Sequence, residues 1–189
     1  MPHSPSNDNV STSEYIHSMI ELKKILSKEE IDKQIERVAA QISSDYADKE
    51  LILIGILKGS FIFIADLIRH ITIPVKVDFI GASSYQDGTS PSDKITITKK
   101  LDIDIKQKDV LIVEDIIDTG RTLSFLINYL NGFQPATIKV CTHIVKHERR
   151  EIDMEIDYYC HIAQGFLVGY GLDYNEDHRL LNDIYHLEV

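Results

Sequence analysis

The sequence lacks the features that mark several large classes of protein. It has only two cysteines in 189 residues, and Cys141 and Cys160 are too far apart for a C-x-x-C zinc or redox motif. We interpret them as reduced, structural thiols of a cytoplasmic protein, with a disulfide as the less favoured alternative. The net charge of −10 argues against a sequence-independent nucleic-acid binder. This net charge does not exclude a small anionic ligand, because a few hydrogen-bond donors at the binding site can outweigh the electrostatic field of the whole protein.

No uninterrupted apolar run is long enough to span a membrane. The longest candidate, "LILIGILKGSFIFIADLI" at residues 51–68, is broken by Lys58 and Asp66, whereas a spanning helix needs about 20 mostly apolar residues. The polar N-terminal stretch also lacks the apolar core of a signal peptide. We therefore expect no association with membranes. We expect residues 1–13 to form a mobile tail and residues 14–189 to form one domain.

Strands and helices are predicted to alternate along the chain. The capping-box pattern "SKEE" at Ser27 predicts a helix over about 28–46. Two more helices are predicted, one over 60–69 capped by Ser60 and one over 122–131 from helical spacing, with Gly132 as its end. Apolar or alternating runs predict strands at 51–56, 75–81, 94–103, 110–114, 137–145 and 166–171. Turn-forming residues over 83–93 predict a long mobile loop. The alternation indicates an α/β fold with a mainly parallel sheet, in which ligands bind at the carboxyl ends of the strands.

The stretch "DVLIVEDIIDTGRTL" at residues 109–123 places three carboxylates at the end of a buried strand. Such charges need a partner or a function. Gly120 permits a tight turn, and the backbone N–H groups at the start of the next helix suit a phosphate. Glu114 and Asp115 suit sugar hydroxyls or Mg²⁺. Neither a P-loop nor G-x-G-x-x-G is present. The stretch indicates a ribose 5-phosphate site; the alternatives are a solvated acidic turn and a helix capped by Asp118 or Thr122.

Four segments resemble those of a known family. "VLIVEDIIDTGRTL" resembles the phosphoribosyl-pyrophosphate-binding motif of the type I phosphoribosyltransferases, and is most similar to the hypoxanthine–guanine branch. "LKGSFIFIADL", "SSY" and "FLVGYGLDYNEDHR" resemble other segments of that branch in the same order, so the resemblance covers about residues 20–185. It implies a mainly parallel twisted sheet flanked by helices, with a small hood over the site. The core would span about 30–155, and the N-terminal segment and about 156–189 would form the hood.

The resemblance implies an enzyme of purine salvage. Its reaction would displace pyrophosphate from C1 of phosphoribosyl pyrophosphate by a nitrogen of hypoxanthine, or of guanine, giving IMP or GMP. Glu114 and Asp115 would hold the ribose hydroxyls, partly through Mg²⁺, and Asp118 would handle the proton on purine N7. The residues that would cradle the 5-phosphate are Asp118, Thr119, Gly120, Arg121 and Thr122.

Further roles follow from the other segments, again by resemblance. Lys58, Gly59 and Arg179 would bind pyrophosphate, with a cis peptide bond between Leu57 and Lys58. On the purine side, Lys146 would donate to the exocyclic oxygen, Phe166 would stack on the base, the Leu167 backbone would read the base edge, and Asp173 would bind a second Mg²⁺. Ser84 and Tyr85 would belong to a lid loop, and the chain would form a homodimer or homotetramer.

Two segments depart from the family pattern. The stretch "DYYCHIAQGF" at residues 157–166 is one residue shorter than usual and lacks a proline, which leaves the wall near the purine and the base preference open. His178 stands where tyrosine or phenylalanine is more usual. A xanthine-preferring enzyme is therefore one alternative. An RNA-binding regulator on the same fold is another, although the acidic balance and the presence of Asp118 and Arg179 count against it.

The two histidines of the 137–145 strand region do not form a metal pair. His143 and His147 are four residues apart, as in a helical metal site, but they flank a strand. At about 3.3 Å per residue they would lie roughly 13 Å apart, too far to share an ion.

Overall fold

The computed structural model describes residues 21–85 and 94–188, without the side chains of residues 84, 85 and 94. In these ranges the chain forms β1 (Glu21–Leu26), α1 (Lys28–Asp45), β2 (Leu51–Leu57), α2 (Phe61–His70), β3 (Val75–Tyr85), β4 (Lys94–Lys99), β5 (Asp109–Ile117), α3 (Arg121–Asn131), β6 (Thr137–Val145), β7 (Tyr158–Ile162), β8 (Leu167–Val168) and β9 (Ile184–Glu188).

The main sheet has six strands in the order β4-β3-β2-β5-β6-β7. Strands β3, β2, β5, β6 and β7 are parallel, and β4 pairs antiparallel with the outer edge of β3. The predicted mainly parallel α/β fold is confirmed. The continuous apolar runs of β2 and β5 occupy the middle of the sheet, where strands are covered on both faces, and residues 51–56 and 110–113 are buried.

Helices cover both faces of this sheet. Helix α1 begins at the Ser27–Glu30 capping box, with both reciprocal hydrogen bonds present, which confirms the predicted start. Its apolar stripe, including Ile35 and Ile42, packs with α2 on one face. On the other face, the stripe of α3, including Leu126 and Leu130, packs against Ile54 and Ile112 of the sheet. The helix faces predicted from 3.6-residue spacing are thus the buried ones.

A second, antiparallel sheet has the strand order β1-β9-β8. The predicted strand over 166–171 shrinks to the two residues Leu167–Val168 in this sheet, and β1 and β9 were not predicted. The reason is that β1, "ELKKIL", is mostly exposed and has no apolar alternation. This sheet joins the N-terminal segment to the C-terminal residues, the two parts of the chain that the family resemblance assigns to the hood. Strand β7, although inside 156–189, is an edge strand of the main sheet.

Two local expectations need correction, and a third holds with a different backbone conformation. Strand β3 continues to Tyr85 because its end pairs with β4, so residues 83–85 are strand rather than loop; residues 86–93 of the predicted loop, like the tail 1–13, lie outside the described residues. Ser60 does not cap α2, since its hydroxyl donates to the Ile56 carbonyl at 2.6 Å. Gly132 ends α3 as predicted, although in a right-handed conformation, φ −59°, rather than the left-handed one typical of a terminating glycine.

Both cysteines are free and buried, as expected of structural thiols. Cys141 lies in β6 and Cys160 in the neighbouring β7, and burial raises the pKa of both, that of Cys160 to about 12. Of the helices described, none combines the length and apolarity needed to cross a bilayer.

The buried His143 makes stability depend on pH. Its ring lies 5.2 Å from Phe63 and 5.0 Å from Tyr170 between centroids, and burial lowers its pKa from 6.5 to about 3. The unfolded chain therefore binds a proton that the folded chain rejects. This contribution is fully present above pH 6.5 and is lost as the pH falls toward 3.

We predict that His143→Leu flattens the acid side of the stability profile. Between pH 7 and pH 5, the free energy of unfolding of the wild type should fall by about 2 kcal/mol more than that of the variant. Urea unfolding at both pH values measures this, and the comparison at pH 7 isolates the packing cost of the substitution. Parallel pH profiles would contradict a neutral buried imidazole.

Candidate active site

Three adjoining clefts open where β2, β5 and β6 end. They enclose 120, 190 and 290 Å³, and each is partly lined by the end of β5. The first is lined by Glu114, Asp118, Thr119, Gly120 and Thr122; the second by Asp115, Asp118, Lys146, Phe166, Leu167 and Asp173; the third by Lys58, Gly59, Glu114, Asp115 and Arg179. The fold thus brings together nearly all of the predicted site residues, from segments more than 100 positions apart.

Ser84 and Tyr85 are placed by their backbone alone. They form the last two residues of β3, paired with Ile95 and Lys94 of β4. Ala82, two residues earlier, lines the third cleft. The predicted lid residues therefore end a strand whose residue Ala82 lines the third cleft, and the segment that follows lies outside the described residues.

Glu114 and Asp115 form a strained acidic pair in the middle of the clefts. Burial, together with the neighbouring Asp115 carboxylate, raises the pKa of Glu114 well above its ordinary value. Burial also raises the pKa of Asp115, opposed by hydrogen bonds from Glu114 and the Ile116 N–H and by the positive charge of Arg179. Two such carboxylates are oxygen ligands of the kind that a divalent cation prefers, and a cation between them would relieve their repulsion.

The Lys58–Gly59 turn lies directly against Asp115. Any Cβ at position 59 would overlap the Asp115 carboxylate, so glycine permits a close approach that no other residue does. The peptide bond between Leu57 and Lys58 is cis, as the family resemblance implied. The turn after β2 and the acidic end of β5 therefore form one wall of the third cleft.

The loop between β5 and α3 leaves the helix end open to an anion. Gly120 precedes the helix at φ +83°, in the left-handed region that glycine adopts readily. Gly120 occupies the N-cap position, and the Arg121 N–H donates to Thr119 Oγ1 at 3.3 Å, so the predicted alternative, a helix capped by Asp118 or Thr122, is wrong. Thr122 and Leu123 of the first turn line the first cleft, so the positive end of the helix dipole adjoins it, as a phosphate site requires.

A segment that sequence reasoning missed closes the back of this loop. The Thr119 carbonyl accepts hydrogen bonds from the N–H groups of Glu151 and Ile152 at 3.1 and 3.2 Å, and Arg121 pairs with the Glu151 carboxylate at 2.6 Å. The side chain of Arg121 therefore points to this segment rather than lining the clefts. The signal available was the charged run "HERRE" directly after β6, at the same sheet edge as the end of β5.

Arg149, also missed, pairs with Asp118. Its guanidinium lies 3.1 Å from Asp118 Oδ2. The other oxygen, Oδ1, is buried and has no hydrogen-bond partner among the described residues. An unpaired buried carboxylate oxygen is costly, so Asp118 has the capacity to accept a proton or a hydrogen bond from a ligand in the second cleft.

Lys146 and Phe166 face the same cleft as Asp118. Lys146 is only 6% exposed, and its ammonium makes no ion pair with any described residue. Phe166 is 43% exposed, and its ring meets that of Tyr174 edge-on at 5.6 Å. A buried cation, an exposed aromatic face and a carboxylate together suit a planar heterocycle that carries a carbonyl oxygen.

Asp173 and Arg179 belong to a charged network at the mouth of the third cleft. Arg179 Nη2 lies 2.7 Å from Asp173 Oδ1 and 3.4 Å from Glu176, and Lys58 pairs with the same Glu176 carboxylate at 2.7 Å. Within residues 21–85 and 94–188, no three Cys, His, Asp or Glu side chains converge on one point to hold a metal. Asp173 and the Glu114–Asp115 pair therefore do not form a single centre.

Comparisons with known proteins agree with this geometry. The family model of the phosphoribosyl transferase domain matches residues 21–175. The chain is 42% identical over 162 residues to the hypoxanthine-guanine phosphoribosyltransferase of Streptococcus mutans, covering 85% of this chain and 90% of that protein.

Two solved structures show the same fold. The hypoxanthine-guanine phosphoribosyltransferase of Bacillus anthracis superposes with a TM-score of 0.83 at 40% identity, covering 89% of this chain and 99% of that one. The hypoxanthine phosphoribosyl transferase of Trypanosoma cruzi, studied for the role of its C-terminal region in oligomeric state and activity, superposes with a TM-score of 0.82 at 37% identity, covering 88% and 91%.

We predict that Glu114→Gln stabilises the protein in the absence of divalent cations. Glutamine can donate to Asp115 without the proton uptake that the raised pKa demands of Glu114, so the free energy of unfolding at neutral pH should rise by on the order of 1 kcal/mol. Thermal unfolding in a chelating buffer measures this. Glu155→Gln, at an exposed position, is the matched control and should leave stability nearly unchanged. Destabilisation confined to Glu114→Gln would show that the pair is not repulsive.

Proposed function

The chain belongs to the phosphoribosyltransferase family, and we propose that it is a purine-salvage enzyme acting on hypoxanthine. It transfers the 5-phosphoribosyl group of phosphoribosyl pyrophosphate to hypoxanthine, and to guanine as a second base, releasing pyrophosphate with IMP or GMP. The observation that carries this proposal is the convergence of Asp118, Lys146 and Phe166 in one cleft that adjoins the open end of α3.

The first cleft suits the ribose 5-phosphate. Its phosphate would meet the first-turn N–H groups of α3 and the hydroxyls of Thr119 and Thr122, with the Arg121 backbone in the same turn. Gly120 allows the backbone to come close, and the hydrogen bonds from Glu151 and Ile152 to Thr119 hold the loop from behind. The 5-phosphate therefore anchors the sugar with its C1 atom directed toward the middle of the clefts.

The acidic pair would be better satisfied with Mg²⁺ bound than without it. Glu114 and Asp115 would hold the ion together with the ribose hydroxyls, because burial raises both pKa values in its absence and the Asp115 charge raises that of Glu114 further. Asp173 would contribute to a second ion, for which it must loosen its contact with Arg179. When bound, Mg²⁺ neutralises phosphoribosyl pyrophosphate and makes pyrophosphate a better leaving group.

The purine would occupy the second cleft. Phe166 offers a face for stacking, the Leu167 backbone lies at the base edge, and Lys146 can donate to the exocyclic oxygen. Hypoxanthine, guanine and xanthine all carry this oxygen, whereas the amino group of adenine cannot accept the bond. The relatives named above are hypoxanthine or hypoxanthine-guanine enzymes, which favours hypoxanthine over the xanthine alternative.

The reaction requires three things from the protein: a proton acceptor, binding sites for the 5-phosphate and the pyrophosphate, and exclusion of water from the reacting C1 atom. Lys58, the Gly59 backbone and Arg179 would hold the pyrophosphate as it leaves C1. Asp118 would accept the proton from purine N7 while the other nitrogen of the five-membered ring bonds to C1. The sugar passes through an oxocarbenium-like state, as in glycosyl transfer, and a lid carrying Ser84 and Tyr85 would exclude water.

The assembly is proposed to be a homodimer or homotetramer. The support is the T. cruzi relative, whose oligomeric state was studied together with its activity.

We also assign the hood to the β1-β9-β8 sheet, because β8 directly follows Phe166 and so carries one wall of the purine cleft.

The test is a side-by-side assay of hypoxanthine, guanine, xanthine and adenine with phosphoribosyl pyrophosphate and Mg²⁺. We expect kcat/KM to be highest for hypoxanthine and at least about 100-fold lower for adenine, since the Lys146 ammonium is left without an acceptor. Each reaction is followed by nucleotide chromatography, with a chelator as the metal control. The proposal fails if none of the three oxopurines yields a nucleotide.

We predict that Asp118→Asn lowers kcat by about 10²–10⁴-fold, because asparagine keeps the shape but cannot accept the N7 proton. The dissociation constant of phosphoribosyl pyrophosphate, measured by calorimetry, should change far less. Asp153→Asn, on the exposed part of the neighbouring segment, is the matched control and should keep both constants. Equal losses in kcat and in phosphoribosyl-pyrophosphate affinity would contradict the role of proton acceptor.

A further inference from the structure

We propose that Glu176 is an internal competitor of pyrophosphate. In the free protein its carboxylate occupies the two cations that the proposed function assigns to pyrophosphate, and it must leave them when pyrophosphate or phosphoribosyl pyrophosphate binds. This inference rests on the proposed function and adds a residue that tunes affinity and product release at the same site.

The contacts of Glu176 are those expected of a bound anion. A single carboxylate oxygen, Oε2, lies 2.7 Å from Lys58 Nζ and 3.4 Å from Arg179 Nη2. Lys58 and Arg179 both line the third cleft, and the exposed Glu176 carboxylate bridges them. An oxygen of pyrophosphate held by the same two cations would have to take the place of Oε2.

The backbone position of Glu176 is unusual for this residue. Tyr174 and Asp177 pair as the last residues of a hairpin, with reciprocal hydrogen bonds of 3.2 and 3.0 Å. The two residues of the turn, Asn175 and Glu176, both have positive φ, at 52° and 69°. Such turns favour Asn followed by Gly. A glutamate at the glycine position is strained, and the contacts of its side chain with Lys58 and Arg179 help to offset that strain.

The hairpin itself is fixed against the Lys58–Gly59 turn. Gly171, in its first arm, is packed against the Gly59 carbonyl without room for a Cβ. Arg179, in its second arm, donates to the Gly171 carbonyl at 2.7 Å, and the Glu176 N–H donates to Asp173 at 2.9 Å. Displacement of Glu176 therefore needs only a rotation of its side chain, while the backbone that positions both cations stays in place.

The competition is weak enough to be overcome by substrate. Lys58 and Glu176 are 65% and 64% exposed, and ion pairs between exposed side chains contribute little. Pyrophosphate carries more charge than one carboxylate and binds together with Mg²⁺, so it displaces the Glu176 carboxylate from Lys58 and Arg179. Glu176 then remains next to the occupied subsite as a like charge, which weakens retention of the pyrophosphate product.

The experiment compares pyrophosphate binding by the wild type and Glu176→Gln, measured by calorimetry with inorganic pyrophosphate and excess Mg²⁺. We expect the variant to bind pyrophosphate roughly two- to fivefold more tightly, the range that an exposed ion pair allows. The inhibition constant for pyrophosphate in the forward reaction should fall by the same factor. Because the effect is electrostatic, it should shrink at high ionic strength.

Asp177→Asn is the matched control. It removes one negative charge from the next position of the same hairpin, where the side chain is exposed, and it should change pyrophosphate affinity by less than about twofold. A gain of equal size in both variants would overturn the inference, because it would reflect net charge rather than displacement of Glu176. Equal or weaker pyrophosphate binding by Glu176→Gln would also overturn it, since Glu176 would then be orienting the cations instead of competing for them.

The outcomes separate this inference from the proposed function. If the wild type neither binds pyrophosphate nor transfers the ribosyl group, the proposed function itself fails. If the wild type does both and Glu176→Gln gains no affinity, only the role of Glu176 fails. The thermal unfolding of the variant, compared with wild type, checks that the hairpin is intact.

Discussion

The close approach of the Gly59 backbone to the Asp115 carboxylate is the contact around which the clefts are arranged. It brings the turn after β2 against the end of β5, which are neighbours in the sheet. The hairpin that carries Asp173 and Arg179 then packs on the same turn, through Gly171 against the Gly59 carbonyl. A side chain at either glycine would push these elements apart, so the geometry of the anion-binding wall depends on two positions that carry no functional group.

Charge at the site is arranged in opposition. Glu114 and Asp115 repel each other inside the protein, while Lys58 and Arg179 are neutralised by Glu176 and Asp173 at the cleft mouth. A ligand that combines a divalent cation with a polyanion resolves both imbalances at once. The free protein is thus less well satisfied electrostatically than its complex would be, which is how binding energy becomes available for holding a reactive substrate.

The predicted elements were most accurate where one face or both faces of an element are buried. Helix α1 and strand β2 appear at nearly the predicted positions, because a capping box and a continuous apolar run are local signals. Strand β1 was missed because its side chains are mostly exposed and its pairing with β9 joins residues at opposite ends of the chain. The turn-forming composition of residues 83–85 predicts a loop, but pairing with β4 outweighs this local preference and makes them strand.

The candidate site shows the same division between features that local sequence patterns predict and contacts that depend on the tertiary structure. The chain by itself determined the residue types and their order: three carboxylates after a buried strand, a glycine before a helix, and a Lys–Gly turn after another strand. These are local patterns whose chemistry follows from neighbouring residues. Only the tertiary structure decided which side chains meet. It paired Arg149 with Asp118, turned Arg121 toward Glu151 and placed Glu176 between Lys58 and Arg179, because contacts between residues far apart in the chain depend on packing that no local pattern encodes.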